Sequence, residues 1–150
     1  MTYVTAKPEG GCLFCAKLLE DADRAKFILC RRPLGFLMLN AFPYSTGHLM
    51  EIPARHVAEL DQLASDELLC VMALAQDAVR ALTNVYHPDG FNLGINLGVA
   101  AGAGIVGHLH LHIVPRWSGD TNFMPVVGQA KVMPEDLETT FEKLLPNFTL

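Results

Sequence analysis

His108-Leu109-His110-Leu111-His112-Ile113-Val114-Pro115-Arg116 alternates imidazole and aliphatic side chains before running into an apolar end. Successive side chains of a β-strand point to opposite faces. The alternation therefore predicts a strand over 108–114, with His108, His110 and His112 on one face and Leu109, Leu111 and Ile113 on the other. The aliphatic face needs a hydrophobic partner, which leaves the imidazoles in a row on the open face. Three of the six histidines of the chain fall within these five residues, a concentration that argues against scattered surface histidines.

The partner for the aliphatic face is a long helix expected to start at Ser65, a good cap, with Asp66 and Glu67 in its first turn. Leu68, Val71, Met72, Ala75, Ala78, Val79, Leu82 and Val85 recur at three and four, one stripe on a helix of about five turns. Pro88 and Gly90 end it. Upstream, 14–27 suits a short helix with Leu18, Leu19 and Ala22 apolar. The apolar runs 27–30 and 35–39, either side of Arg31-Arg32-Pro33, read as a hairpin. A loop over 41–47 holds Pro43, Ser45 and Gly47, and 49–52 is a further strand. Downstream, 91–96 reads as a strand and 99–107 as a small, glycine-rich loop. Pro134, Glu135 and Asp136 open a last short helix reaching about Leu145. Residues 1–11, with Lys7-Pro8 and Gly10-Gly11, read as a flexible tail. Without repeats or composition breaks, the expectation is one α+β domain over 1–150: a mostly antiparallel sheet of about five strands, one long helix and short terminal helices.

Composition narrows the function. The chain has 150 residues, 51% hydrophobic, 18% charged and 8% aromatic. That is enough for a core without staples and excludes disordered, collagen-like and coiled-coil classes. A net charge of −5 with no basic run argues against nucleic-acid backbones as partners. No run approaches ~18–20 uninterrupted apolar residues, so no membrane span is expected. MTYVTAKPEGG lacks an apolar signal core, so the cytoplasm is the expected compartment.

Three imidazoles on one strand face serve two chemistries. Neutral imidazole is a common metal ligand. It is also a nucleophile that attacks phosphorus to give a phosphoramidate, and its pKa of ~6.5 leaves it mostly neutral at pH 7 without a strong base. Periodicity does not choose between them. Of the four cysteines, Cys12 and Cys15 form a C-x-x-C open to metal binding, redox chemistry or neither. Cys30 and Cys70 sit in apolar surroundings as small hydrophobes. Gly102-Ala103-Gly104-Ile105-Val106-Gly107 is literally G-x-G-x-x-G. A dinucleotide fingerprint requires a helix where a strand is expected here, so that reading fails. Residues without bulk still let backbone N–H groups approach an anion.

His-x-His-x-His, two apolar residues and Pro-Arg resemble the signature of the histidine triad nucleotide-binding proteins. Asn40-Ala41-Phe42-Pro43, Gly47-His48, Ile52-Pro53 and His56 match that family's first half in order and spacing, so the resemblance covers most of the chain. Trp117-Ser118-Gly119-Asp120-Thr121-Asn122-Phe123 and Lys131-Val132-Met133-Pro134-Glu135 resemble a microbial subgroup near the fragile histidine triad branch. That subgroup includes dinucleoside polyphosphate hydrolases and diadenosine tetraphosphate phosphorylases.

The resemblance implies roles residue by residue. His110 is the nucleophile on the α-phosphate. His112 holds a non-bridging oxygen or the bridging oxygen of the departing group, and His48 keeps the nucleophile's tautomer. Asn40 bonds the ribose hydroxyls, Asn96 lies near the phosphate chain, and the loop at Gly104 and Ile105 offers backbone N–H groups. Where the family often carries a hydroxyl or amide side chain, four residues before the first triad histidine, this chain has Gly104. Trp117 either stacks on a nucleobase or packs in the core. Arg116 either contacts phosphate or forms an ion pair. Met38 and Met50 either line a base pocket or pack in the core. Some triad proteins bind zinc through four residues that correspond here to Cys12, Cys15, His56 and His108, a Cys₂His₂ set suited to a closed structural site.

The implied activity is nucleotidyl transfer from a diadenosine polyphosphate through a nucleotidyl-histidine, with water or phosphate as acceptor. Magnesium accompanying the substrate is left open, and a homodimer with a continuous sheet is implied. The competing readings are a purine nucleoside phosphoramidase, a non-catalytic nucleotide-binding protein, and a metalloenzyme that uses all three histidines as ligands.

Overall fold

A computed structural model describes residues 11–132 and 134–148; the tail expected over 1–11 lies outside them except for Gly11. Strands β1 (Ile28–Arg32), β2 (Gly35–Leu39), β3 (Leu49–Pro53), β4 (Gly90–Ile95) and β5 (Leu111–Arg116) form one antiparallel sheet in the order β1-β2-β3-β5-β4. β5 starts at Leu111 rather than His108, yet the alternation persists through the extended approach. Leu109, Leu111 and Ile113 enter one core, and His112 sits opposite Met50 on one side and Gly94 on the other.

Helix α2 (Ser65–Tyr86) covers the aliphatic face, packing across β2, β3 and β5. By length and composition it could cross a bilayer, but here it is a core helix with one face buried on the sheet. Its buried stripe is Val71, Leu74, Ala75, Ala78, Ala81 and Leu82, turned slightly from the expected one. Leu74 and Ala81 face the core, while Leu68 and Met72 remain 40% and 54% exposed. Ser65 is the first helical residue and not the cap. Ala64 holds the cap position without a side-chain bond, and the Glu67 carboxylate accepts the Ala64 N–H at 2.8 Å. Arg55 clamps the same carboxylate with two 2.8 Å bonds. The helix ends at His87, which turns left-handed (φ 48°).

The opposite face of the sheet carries a second core of Phe14, Ile28, Phe36, Met38, Met50 and Ile52. Phe14 comes from α1 (Leu13–Leu19), which stops well short of the expected end at Phe27. Residues 23–27 form a turn closed by Ile28 N–H to the Asp23 carbonyl at 2.9 Å. The stop comes from β1: the Arg31 guanidinium donates to the carbonyls of Lys17, Leu18 and Glu20 at 3.2, 2.8 and 2.9 Å. Those are the carbonyls a helix end leaves unpaired. At the other end, α4 (Leu137–Leu144) is capped by Asp136, whose side chain accepts the Thr139 N–H at 2.8 Å, so Pro134 and Glu135 stay outside it. The one-turn helix α3 (Met124–Val127) was not expected.

Glu51 of β3 is the anomaly of the interior. It is fully buried, and neither carboxylate oxygen has a partner among the described residues. It fits because Gly35 has no side chain: a Cβ there would stand 2.6 Å from Glu51 Oε1 and 3.4 Å from Leu74 Cδ1. Burial alone pushes its pKa up to about 8, since the charged form loses its water without compensation. The folded protein therefore keeps the proton up to that pH, while the unfolded chain releases it above about 4.5. Stability from this group is full below the unfolded value and falls as pH rises toward 8. Glu51→Gln is expected to gain on the wild type by on the order of 4 kcal/mol between pH 5 and pH 8. Urea unfolding at the two pH values checks this; equal differences would exclude it.

Candidate active site and metal centre

The expected open row of imidazoles is mostly closed. His108 is 0% and His110 5% exposed, because Phe14 lays its ring against both at centroid distances of 5.5 and 5.3 Å. Only His112 is left partly open. Each ring is held by hydrogen bonds that decide which nitrogen carries the proton.

His108 donates from Nε2 to the Pro53 carbonyl at 2.8 Å. Its Nδ1 lone pair then points at Cys12 Sγ (3.2 Å) and Cys15 Sγ (3.6 Å), and His56 Nδ1 lies 3.4 Å from Cys15 Sγ. These four ligand atoms lie within 4.8 Å of one another. A tetrahedral ion with metal–sulfur bonds of about 2.3 Å and metal–nitrogen bonds of about 2.0 Å needs sulfur–nitrogen separations of about 3.6 Å. The set can hold a metal ion, and the Pro53 carbonyl supplies the outer hydrogen bond that metal-binding histidines normally have. Burial and the Cys12 sulfur hold the Cys15 thiol above its ordinary pKa, a penalty a bound cation would remove.

His110 donates from Nδ1 to the His108 carbonyl at 3.0 Å. A carbonyl only accepts, so the lone pair of His110 is on Nε2. His48 accepts the Tyr44 N–H on Nδ1 at 3.0 Å, which puts its own proton on Nε2, directed at His112 Nδ1 at 2.9 Å. His112 thus presents an Nε2–H. Contrary to expectation, His48 fixes the tautomer of His112, and the backbone of its own chain fixes that of His110. Burial holds all three below the usual histidine range: His48 down to about 3, with the charges of His112, Lys131 and His110 adding to it, and His112 down to about 4, with His110 adding to it. All three are therefore neutral at pH 7.

A cavity of about 540 Å³ opens beside His112. The loop at 44–46 is tied to β5 by Ser45 Oγ–H to the Pro115 carbonyl at 2.9 Å. It forms one wall, β4 and Asn96 a second, and β5 with Trp117, Asp120, Thr121, Lys131, Val132 and Pro134 the rest. His112, Asn96 and Trp117 line it, whereas His110 sits one ring behind, edge-to-face with His112 at 4.9 Å. Asn40 lies off the wall; its Oδ1 accepts the Phe42 N–H at 2.8 Å and shapes the turn toward His48. Gly104 is exposed and Ile105 packs at the edge of the Phe14 core, so neither lines the cavity. Met38 and Met50 are core residues. Cys30 and Cys70 are free thiols, half-buried beside the main core.

Arg116 forms an ion pair. Nε and Nη2 fork onto Asp120 at 2.7 and 2.8 Å, and Nη1 donates to Asn92 Oδ1 at 2.7 Å. Tyr44, Asp120 and Lys131 are among the wall residues to which sequence reasoning gave no role. Tyr44 stacks on His112 with centroids 5.7 Å apart and planes at 21°. Asp120 anchors Arg116, a partnership its four-residue spacing could have suggested. Lys131 reaches the cavity from a loop without periodicity, where no local signal exists.

Metal analysis of the purified chain is expected to find about one divalent ion per molecule. The double substitution Cys12→Ser/Cys15→Ser is expected to remove it and lower Tm by several degrees; full metal content in that variant would exclude the site.

A model of the HIT domain matches residues 22–119. The chain is 44% identical over 119 residues to an AP-4-A phosphorylase of Mycobacterium tuberculosis, a match covering 79% of this chain but only 61% of that relative. It is 31% identical to an uncharacterized HIT-like protein of Methanocaldococcus jannaschii, covering 89% of this chain and 98% of the relative. Among solved structures, a Zn-bound histidine triad family protein from Mycobacterium smegmatis superposes with a TM-score of 0.74 at 29% identity, covering 91% and 92% of the two chains. With the domain match spanning most of the chain and the imidazoles of His108, His110 and His112 on one strand face, this protein belongs to the HIT family.

Proposed function

We propose that the chain is a dinucleoside polyphosphate phosphorylase, transferring a nucleotidyl group first to His110 and then to inorganic phosphate. The observation that carries this reading is the fixed set of tautomers. Nε2 of His110 holds a lone pair at neutral pH, and His112 offers an Nε2–H beside it. In the first half-reaction, with the Phe14 ring that covers His110 in this structure moved aside, His110 Nε2 attacks the α-phosphorus in line, and the bond to the bridging oxygen breaks. The electron pair leaves with the departing nucleotide, while the His112 N–H stabilises charge on oxygen. The departing terminal phosphate is a stable anion, so no proton has to move to it.

The second half-reaction favours an acceptor that arrives already ionised. Once His110 is bonded to phosphorus, His48 and His112 each have Nδ1 engaged and Nε2 protonated. No imidazole lone pair is then free to take a proton from water, whereas inorganic phosphate arrives as an anion. An oxygen of phosphate attacks phosphorus, the P–N bond breaks, and its electron pair returns to Nε2. The identity to an AP-4-A phosphorylase supports the same choice and an adenine nucleotide as substrate. Hydrolysis or phosphoramidase activity would use the same nucleophile with another acceptor or leaving group.

Cys12, Cys15, His56 and His108 would hold zinc, which suits a Cys₂His₂ set and supplies a structural tie between α1 and the nucleophile's strand. A second copy would pair through the β4 edge, where exposed Leu93 continues across a shallow hollow to Met72 and Val79 of α2. Sedimentation at micromolar concentration would then give twice the chain mass; a monomer would exclude the pairing.

With diadenosine tetraphosphate the expected products are ADP and ATP, dependent on added phosphate. His110→Ala is expected to lose at least about 10³-fold in turnover while keeping nucleotide binding. Trapping a labelled nucleotidyl-enzyme from wild type but not from His110→Ala tests the covalent step. Phosphate-independent release of AMP would exclude the phosphorylase reading.

A further inference from the structure

A dinucleoside polyphosphate brings several negative charges to a protein that is itself at −5. His48, His110 and His112 are neutral at pH 7 and supply hydrogen bonds but no charge. Arg116 is the obvious cation in the wall, yet its three guanidinium nitrogens are committed to Asp120 and Asn92. Asp120 in turn uses Oδ1 and Oδ2 on Arg116 and accepts the Trp117 N–H at 3.1 Å. Lys131 lines the same cavity, and no ion pair engages it among the described residues. Its charge adds to the burial and the His112 ring that hold the His48 pKa down.

We infer that Lys131 is a specificity-determining residue that anchors the phosphate beyond the α-phosphorus: the departing chain in the first half-reaction and inorganic phosphate in the second. The inference rests on the function proposed above, and the chemistry gives one position both duties. In two successive in-line displacements at one phosphorus, the entering group of the second step comes from the side the leaving group of the first vacated. A single cation beside that position therefore serves both. An ammonium on a flexible stem suits the task, since the group it holds changes from a phosphoanhydride chain to a free dianion. Partial desolvation lowers the pKa of Lys131 while Asp120 opposes the shift. Lys131 is exposed and its backbone carries no helix or strand, so replacing it should leave the fold intact.

The test compares the intact wild type, Lys131→Met and Lys131→Arg in single-turnover formation of the nucleotidyl-enzyme. One substrate is diadenosine tetraphosphate, whose leaving group is a polyphosphate; the other is adenosine 5′-phosphoramidate, whose leaving group has no phosphate. KM for inorganic phosphate is measured with the first. The expected results for Lys131→Met are a rate loss with the tetraphosphate at least tenfold greater than with the phosphoramidate, and a KM for phosphate raised at least tenfold. Lys131→Arg should restore most of both. Equal losses on the two substrates, no loss on either, or an unchanged KM for phosphate would overturn the inference. If the wild type forms no nucleotidyl-enzyme from either substrate, it is the proposed function that fails, and this assignment falls with it.

Discussion

An imidazole withdrawn from water must place its single proton against a fixed acceptor, and in this protein the backbone makes that choice for each ring. The carbonyl of Pro53 orients His108, the carbonyl of His108 orients His110, and the N–H of Tyr44 orients His48, which orients His112. Three of these assignments rest on the backbone directly, and that of His112 passes through His48, which burial keeps uncharged. The result is a row of neutral rings with alternating duties: a lone pair toward the sulfurs, a lone pair on the central ring, and an N–H facing the cavity. Desolvation usually weakens a polar group. Here it keeps these rings uncharged and so preserves the lone pair a nucleophile requires.

Much of this was legible in the sequence because strand period and imidazole spacing are local. The alternation over 108–113 placed the histidines on one face, whereas it was the resemblance to triad proteins, and not spacing, that joined the C-x-x-C to His56 and His108, whose four ligand atoms converge. What was not legible depends on contacts between distant parts of the chain. The helix expected through Phe27 ends at Leu19 because a guanidinium from β1 takes its terminal carbonyls, and helical propensity does not report that. The phase of the α2 stripe was misread by about one position, since Leu68 and Met72 are as apolar as the residues that face the sheet. The open imidazole face was misjudged because Phe14 covers it from nearly a hundred residues upstream.

The candidate site shows the same division. Asn96, His112 and Trp117 reach the cavity from segments whose motifs could be read directly. Asn40, Gly104 and Ile105 do not line it: the first shapes its own turn, Gly104 is exposed, and Ile105 packs on the core that Phe14 forms. Arg116 looked equally suited to phosphate and to an ion pair, and the pairing with Asp120 and Asn92 decided it. The cavity is thus assembled from β4, β5 and irregular segments, and in the irregular segments sequence carries little periodic information. The rings beside it are assembled from strands, where sequence carries a great deal.

Gly35 and Glu51 occupy the same space between the sheet and α2: a methyl at one would collide with the carboxylate of the other. The two positions therefore cannot drift independently over evolutionary time. A lineage that shortens residue 51 removes the tightest of the contacts that alanine at 35 would make, leaving the Ile52 carbonyl at 3.2 Å, while one that keeps the carboxylate has to shift it to admit a methyl. Residues 35 and 51 should consequently co-vary among relatives of this chain as a linked pair, independently of anything the imidazoles do on the opposite face of the sheet.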